Sequence, residues 1–106
     1  MISFEEFKKM ELAVATIKEV VDHPDADKLY VVKVLLSGEE RQLVAGIKPY
    51  YSKEELEGKQ VVVIVNLEPA VIRGVESNGM LLVAQDEEGI AVLTIDRKVT
   101  NGAKVR

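Results

Sequence analysis

Seven side chains could carry chemistry in this sequence: Lys33, Arg41, Asn66, Arg73, Ser77, Asn78 and Met80. Four of them, Asn66, Arg73, Ser77 and Asn78, fall on one glycine-rich stretch, with Met80 directly after it. A guanidinium is planar, always charged and shaped for phosphate, so Arg73 beside Gly74 suits a phosphate or base-stacking contact. Ser77 and Asn78 can give short hydrogen bonds to sugar or phosphate. Met80 opens a strand, where it suits core filling as well as a base platform. Asn66 ends an apolar run, where its amide serves loop backbone groups as readily as a ligand. Lys33 interrupts an apolar strand and shares a face with Leu29, Val31 and Leu35, opposite Tyr30, Val32, Val34 and Leu36. Arg41 adds a second cation nearby, and Lys48 before Pro49 is a weaker candidate.

Enzymatic constellations find little material. There is no cysteine and one histidine, His23, so thiolate metal sites, disulfides and a Ser-His-Asp relay are not assembled. His23, Asp25 and Asp27 resemble a metal or acid-base cluster. Next to Pro24, the two aspartates are better suited to building a turn through nearby backbone amides, with Lys28 as a turn or ion-pair residue. No nucleophile–base pair can be named, so no catalytic activity, cofactor or metal is expected. A net charge of −4 argues against broad phosphate affinity, so any nucleic-acid site must be a local basic patch on an acidic body.

The elements that must hold these residues follow from pattern. With 106 residues, one domain covering 1–106 is expected, and its core is aliphatic: 47% of residues are hydrophobic and only 5% aromatic. Valine and isoleucine dominate, which favours strands. A short helix over Ser3–Met10 is capped by Ser3 and Glu6, with Ile2 and Phe7 at staple positions. Strands are expected at Leu12–Val21, Leu29–Leu36, Arg41–Ala45, Gln60–Asn66 and Met80–Gln85. A second helix starts at Ser52, with Glu55 completing its capping box and Gly58 stopping it. Leu67–Gly79 reads as a long loop, Ile90–Ile95 as an added strand, and Val105 as a last apolar residue. Three strands, a helix and two strands is the chain order of the five-stranded OB-fold barrel. That fold places ligands on strands two and three and in the loops here formed by Asp22–Lys28 and Leu67–Gly79. No window reaches about eighteen apolar residues, and the acidic N-terminus lacks a signal-peptide run. A cytoplasmic location without membrane contact is expected.

Four blocks in register carry a family resemblance: HPDADKL at 23–29, VAGIKPYY at 44–51, NLEP at 66–69 and RGVESNGMLL at 73–82. Together they resemble the tRNA-binding domain found at the C-terminus of many methionyl-tRNA synthetases and in free-standing tRNA-binding proteins. The resemblance runs from Phe4 to Val105. It implies a mainly β OB-fold barrel with a C-terminal β extension, and a homodimer joined through N- and C-terminal additions. It also implies non-catalytic binding to the outer corner of the L-shaped tRNA, as an accessory or paralogue of methionyl-tRNA synthetase. Phe4 and Phe7, on a helix too short to stand alone, agree with a covered surface. Related sequences often carry lysines where this chain has Glu68 and Val71, which lowers the positive potential beside Arg73. A second reading is a peptide-binding chaperone, since the same fold family includes dimeric secretion-associated chaperones.

Overall fold

The computed structural model describes all 106 residues. The long first strand, β1 (Leu12–Asp22), organises the molecule. Its first half pairs antiparallel with β4 (Gln60–Ile64), and its second half pairs with β2 (Tyr30–Leu36). The register shifts between Ile17 and Glu19, and a bulge of this kind bends a strand and lets one strand serve two neighbours. β2 continues to β3 (Glu39–Ala45), and β4 to the short β7 (Met80–Leu81), giving the order β3-β2-β1-β4-β7.

This curled sheet turns its outer strands toward each other. Asn78 N–H donates to the Gln42 carbonyl at 2.8 Å. Gln42 Nε2 donates to the Glu76 carbonyl at 2.9 Å, and Val44 N–H donates to Ser77 Oγ at 3.0 Å. The seam is thus stitched by side chains as much as by backbone, and the whole is a mainly β, OB-like barrel. Its interior holds Ile17, Val32, Val34, Leu43, Ile47, Val61 and Val63, with Leu56 sealing one end from α2 (Lys53–Leu56). The core face expected for β2 holds, with Tyr30, Val32, Val34 and Leu36 buried; on the opposite face Lys33 is exposed, but Val31 is buried as well.

Both capping boxes form. Ser3 Oγ accepts from Glu6 N–H above α1 (Phe4–Phe7), and Ser52 Oγ accepts from Glu55 N–H above α2. The backbone and side-chain hydrogen bonds from Ser52 hold the Glu55 carboxyl below its ordinary pKa. α1 is shorter than the Ser3–Met10 expectation, and it buries no residue. Ile2 and Phe4 stay exposed.

Several boundaries differ from the sequence expectation. The fourth strand stops at Ile64: Val65 N–H still meets the opposite Glu11 carbonyl at 2.8 Å, but Glu11 N–H goes to Asn66 Oδ1 at 2.8 Å and does not return to Val65. The stretch Leu67–Gly79 is not a plain loop. It contains a hairpin of β5 (Ala70–Ile72) and β6 (Val75–Ser77), closed by Arg73 and Gly74 at φ 51° and 88°. Two left-handed residues in succession are what a tight hairpin turn demands, but three-residue strands leave too short a pattern to read. The expected strand Met80–Gln85 divides at Leu82, whose N–H goes to the Val62 carbonyl at 3.0 Å. Beyond it, β8 (Val83–Asp86) pairs with β9 (Gly89–Val92) as a separate hairpin. The added strand expected over Ile90–Ile95 ends at Val92; beyond it Leu93 N–H donates to the Leu82 carbonyl at 3.1 Å, the Thr94 hydroxyl donates to the Gln60 carbonyl at 2.8 Å, and Thr94 pairs singly with Val61.

The last residues dock back on the barrel. β10 (Lys104–Val105) pairs with Leu12 and Ala13. Asn101 Oδ1 accepts from Thr16 Oγ1 at 2.7 Å and from Gln60 Nε2 at 3.2 Å. No helix is long and apolar enough to cross a membrane.

Candidate nucleic-acid interface

The two loops expected to face a ligand lie side by side and are bonded to each other. His23, 5% exposed, directs Nε2 at the Ile72 carbonyl, 2.9 Å away, while Asp25 N–H donates to its Nδ1 at 2.9 Å. Arg73 Nη2 returns the link by donating to the Asp25 carbonyl at 2.8 Å. The turn around Pro24 is therefore built by the imidazole and by backbone bonds. The Asp25 and Asp27 carboxylates, expected to build it, make no hydrogen bond; the Asp25 amide is taken by the imidazole instead.

Arg73 stands at the hairpin tip, exposed, in no ion pair, with one of its donors used. Lys28, on the adjoining loop, is an exposed turn residue as expected, and it makes no ion pair, which adds it to the candidate contacts. Its place in the loop between the first two strands was the available signal. Asn78 donates to Glu76 Oε1 at 3.0 Å, and its Oδ1 remains open. Met80 projects outward, 47% exposed, while its neighbour Leu81 points inward. Core filling is thus the role of Leu81, and Met80 presents a thioether to solvent. Val71, 72% exposed on the hairpin, adds an apolar surface.

The remaining candidates are committed within the molecule. Ser77 is buried, and its hydroxyl both accepts from Val44 N–H and donates to the Gly79 carbonyl at 3.1 Å. Asn66 Oδ1 accepts from Glu11 N–H at 2.8 Å and its Nδ2 donates to the Lys9 carbonyl at 2.7 Å, which anchors the exit from α1. Arg41 Nη1 donates to the carbonyls of Val65 at 2.8 Å and Asn78 at 3.3 Å, and Nη2 lies 3.4 Å from Glu39. Lys33 is exposed but lies 3.9 Å from Glu19, and Lys18 pairs with Glu40 at 3.0 Å. The face of strands β1 to β3 is therefore a mosaic of matched charges. Lys48 and Lys53 both reach Asp22 Oδ1, at 3.2 and 3.3 Å. Their hydrogen bonds, that of Lys48 foremost, hold the Asp22 carboxyl below its ordinary pKa. On the two loops Lys28 and Arg73 are left without an acidic partner, as are Lys9, Lys59, Arg97, Lys98, Lys104 and Arg106 elsewhere on the surface.

This chemistry suits a phosphate-bearing ligand. The family described as "Putative tRNA binding domain" matches residues 12–104. The chain belongs to this tRNA-binding domain family. Methionine–tRNA ligase of Pyrococcus furiosus is 60% identical over 105 residues, which is 99% of this chain and 14% of that enzyme. The corresponding ligase of Nanoarchaeum equitans is 48% identical over 106 residues, again 14% of its length. The chain thus spans about one seventh of these relatives. Among solved structures, a protein described as related to methionyl-tRNA synthetase, from Pyrococcus horikoshii, superposes with a TM-score of 0.93 at 36% identity, covering 100% of this chain and 98% of that one. The CsaA chaperone of Picrophilus torridus superposes at 0.92 with 31% identity, and both chains are covered in full.

Proposed function

We propose that the chain is a non-catalytic, structure-reading tRNA binder that meets the outer corner of the tRNA with the end of the barrel formed by the 23–28 loop and the β5–β6 hairpin. The observation that carries this reading is the unpaired Arg73 guanidinium, held at the tip of a hairpin in a family of tRNA-binding domains. Arg73, Asn78 and Met80 supply the contacts, joined by Lys28 and, at the margin, Lys33. Arg41, Asn66 and Ser77 hold the backbone that presents them. So few groups cannot read many base edges, but they can match a fixed set of phosphates and splayed bases. The acidic body repels nucleic acid that does not fit.

The chain acts as a homodimer in this proposal. The exposed Phe4 ring, 6.4 Å from that of Phe7, and the β8–β9 hairpin are the surfaces offered to a second copy. Two sites raise apparent affinity without new contacts. An accessory role beside methionyl-tRNA synthetase is the partner relation that the similarity to those ligases supports. A gel shift with total tRNA at two salt concentrations tests the reading. Binding that weakens steeply with salt supports it, and sedimentation at the monomer mass at micromolar concentration removes the dimer.

The likeness to the CsaA chaperone of Picrophilus torridus supports a second reading, peptide binding. An apolar peptide would be held with little dependence on salt, so the same two-salt measurement separates the two.

A further inference from the structure

The β5–β6 hairpin is held unevenly. Strand β6 is pinned to β3 through Gln42, Val44 and Ser77. Residues 70–74, which include the tip, make only two hydrogen bonds outside the hairpin, the Ile72 carbonyl to His23 Nε2 and Arg73 Nη2 to the Asp25 carbonyl. Because Nδ1 accepts from Asp25 N–H, Nε2 must be the ring's donor. The imidazole is thus oriented from its own loop and spends its one proton across 49 positions of sequence on the hairpin. A buried ring oriented at one nitrogen and bonded at the other is a strut whose length and angle are fixed.

We infer that His23 is a positioning residue for the nucleic-acid site: its bond to the Ile72 carbonyl sets the hairpin at the angle at which Arg73 meets the ligand. This role rests on the tRNA-binding reading above. The ring itself is buried and touches no ligand. Without the strut, the free end of the hairpin samples orientations in which Arg73 points elsewhere, and apparent affinity falls with the fraction of time spent correctly placed. A fraction of about one tenth weakens binding about tenfold.

Two near-isosteric variants divide the two bonds. In H23N the side-chain oxygen replaces Nδ1 and nothing reaches Ile72. In H23Q an amide N–H stands near the position of Nε2. Labelled tRNA is titrated at several salt concentrations, and amide hydrogen exchange is followed over residues 70–77, with circular dichroism as the folding control. H23N is expected to bind about tenfold more weakly with an unchanged salt slope, since no phosphate contact is removed, and to exchange faster over 70–77. H23Q is expected to stay within about twofold of wild type on the same argument. A purely structural histidine would lower the melting temperature of H23N and leave its affinity, measured well below melting, unchanged; that result overturns the inference. So does a reduced salt slope, which would make His23 a direct contact, or equal losses in H23N and H23Q. If H23N does not fold, exchange in the wild type without tRNA decides: the Asp25 amide, bonded to Nδ1, and the 70–77 amides should open together, and a hairpin that opens while Asp25 stays protected refutes the strut. Failure of the wild type to bind tRNA overturns the tRNA reading and this role with it, whereas failure in the variant comparison removes only the role of His23.

Discussion

Arg41 and Arg73 carry the same side chain, and both were candidate contacts, yet the molecule uses them in opposite ways. Arg41 sits on the closing seam of the barrel, its side chain 26% exposed, and engages two carbonyls and a carboxylate. Arg73 sits at a hairpin tip and gives one hydrogen bond to a neighbouring loop. The seam is a place where buried backbone groups need partners, and a side chain that supplies them has little left for a ligand. The hairpin tip has few such groups, so its cation stays available. An arginine available to a ligand is therefore one that no buried group claims.

The largest effect that would sharpen this contrast is expected at Gly79, on the seam. It has φ 125°, and an added Cβ would come within 2.9 Å of the Ile64 carbonyl oxygen. Gly79→Ala should cost about 3 kcal/mol, combining backbone strain with a clash against backbone that cannot give. Denaturant unfolding measures it, and an unchanged midpoint would mean that the seam is loose.

Arg41→Ala comes next. Removing it strands two carbonyls, and hydrogen bonds to a charged group are worth about 1.5–3 kcal/mol; partial exposure puts the expected loss near the lower figure. The salt slope of tRNA binding should not change. A slope reduced by about one unit would place Arg41 on phosphate and break the division between seam and tip.

Arg73→Ala should do the reverse. Stability should stay within about 0.5 kcal/mol, as for most surface substitutions, while binding weakens and the salt slope falls by about one unit. Thermal melts paired with titrations at several salt concentrations report both, and equal slopes for variant and wild type would remove Arg73 from the site.

The smallest effect is expected at Lys33→Gln. Its ion pair with Glu19 is long and half-exposed, and such pairs contribute about 0–1 kcal/mol. With Glu19 then unpaired, tRNA affinity should drop slightly, by less than in Arg73→Ala. A larger loss than in Arg73→Ala would move the centre of the interface from the loops to the strand face.

Local signals in the chain settled a good deal. Ser3 with Glu6 and Ser52 with Glu55 mark two helix starts because a capping box is made by residues three apart. The period-two pattern of Tyr30–Leu36 fixes which face is core, and Lys33 is exposed as that pattern requires. Glycine, proline and the four motif blocks marked the two loops that the fold sets side by side, and the family. The β5–β6 hairpin was not legible, because its strands are three residues long and its turn is built on an arginine in a left-handed conformation.

What each polar side chain does was decided only by the tertiary structure. Asn66 is bonded to Lys9 across 57 positions, His23 to Ile72 across 49, Arg73 to Asp25 across 48 and Arg41 to Val65 across 24. A hydrogen-bonding group is free for a ligand only if no buried partner claims it, and these partners come from strands and loops that meet when the barrel closes. Sequence names the donors and acceptors and the turns that carry them. Closure of the barrel then consumes Arg41, Asn66 and Ser77 and leaves Arg73 available.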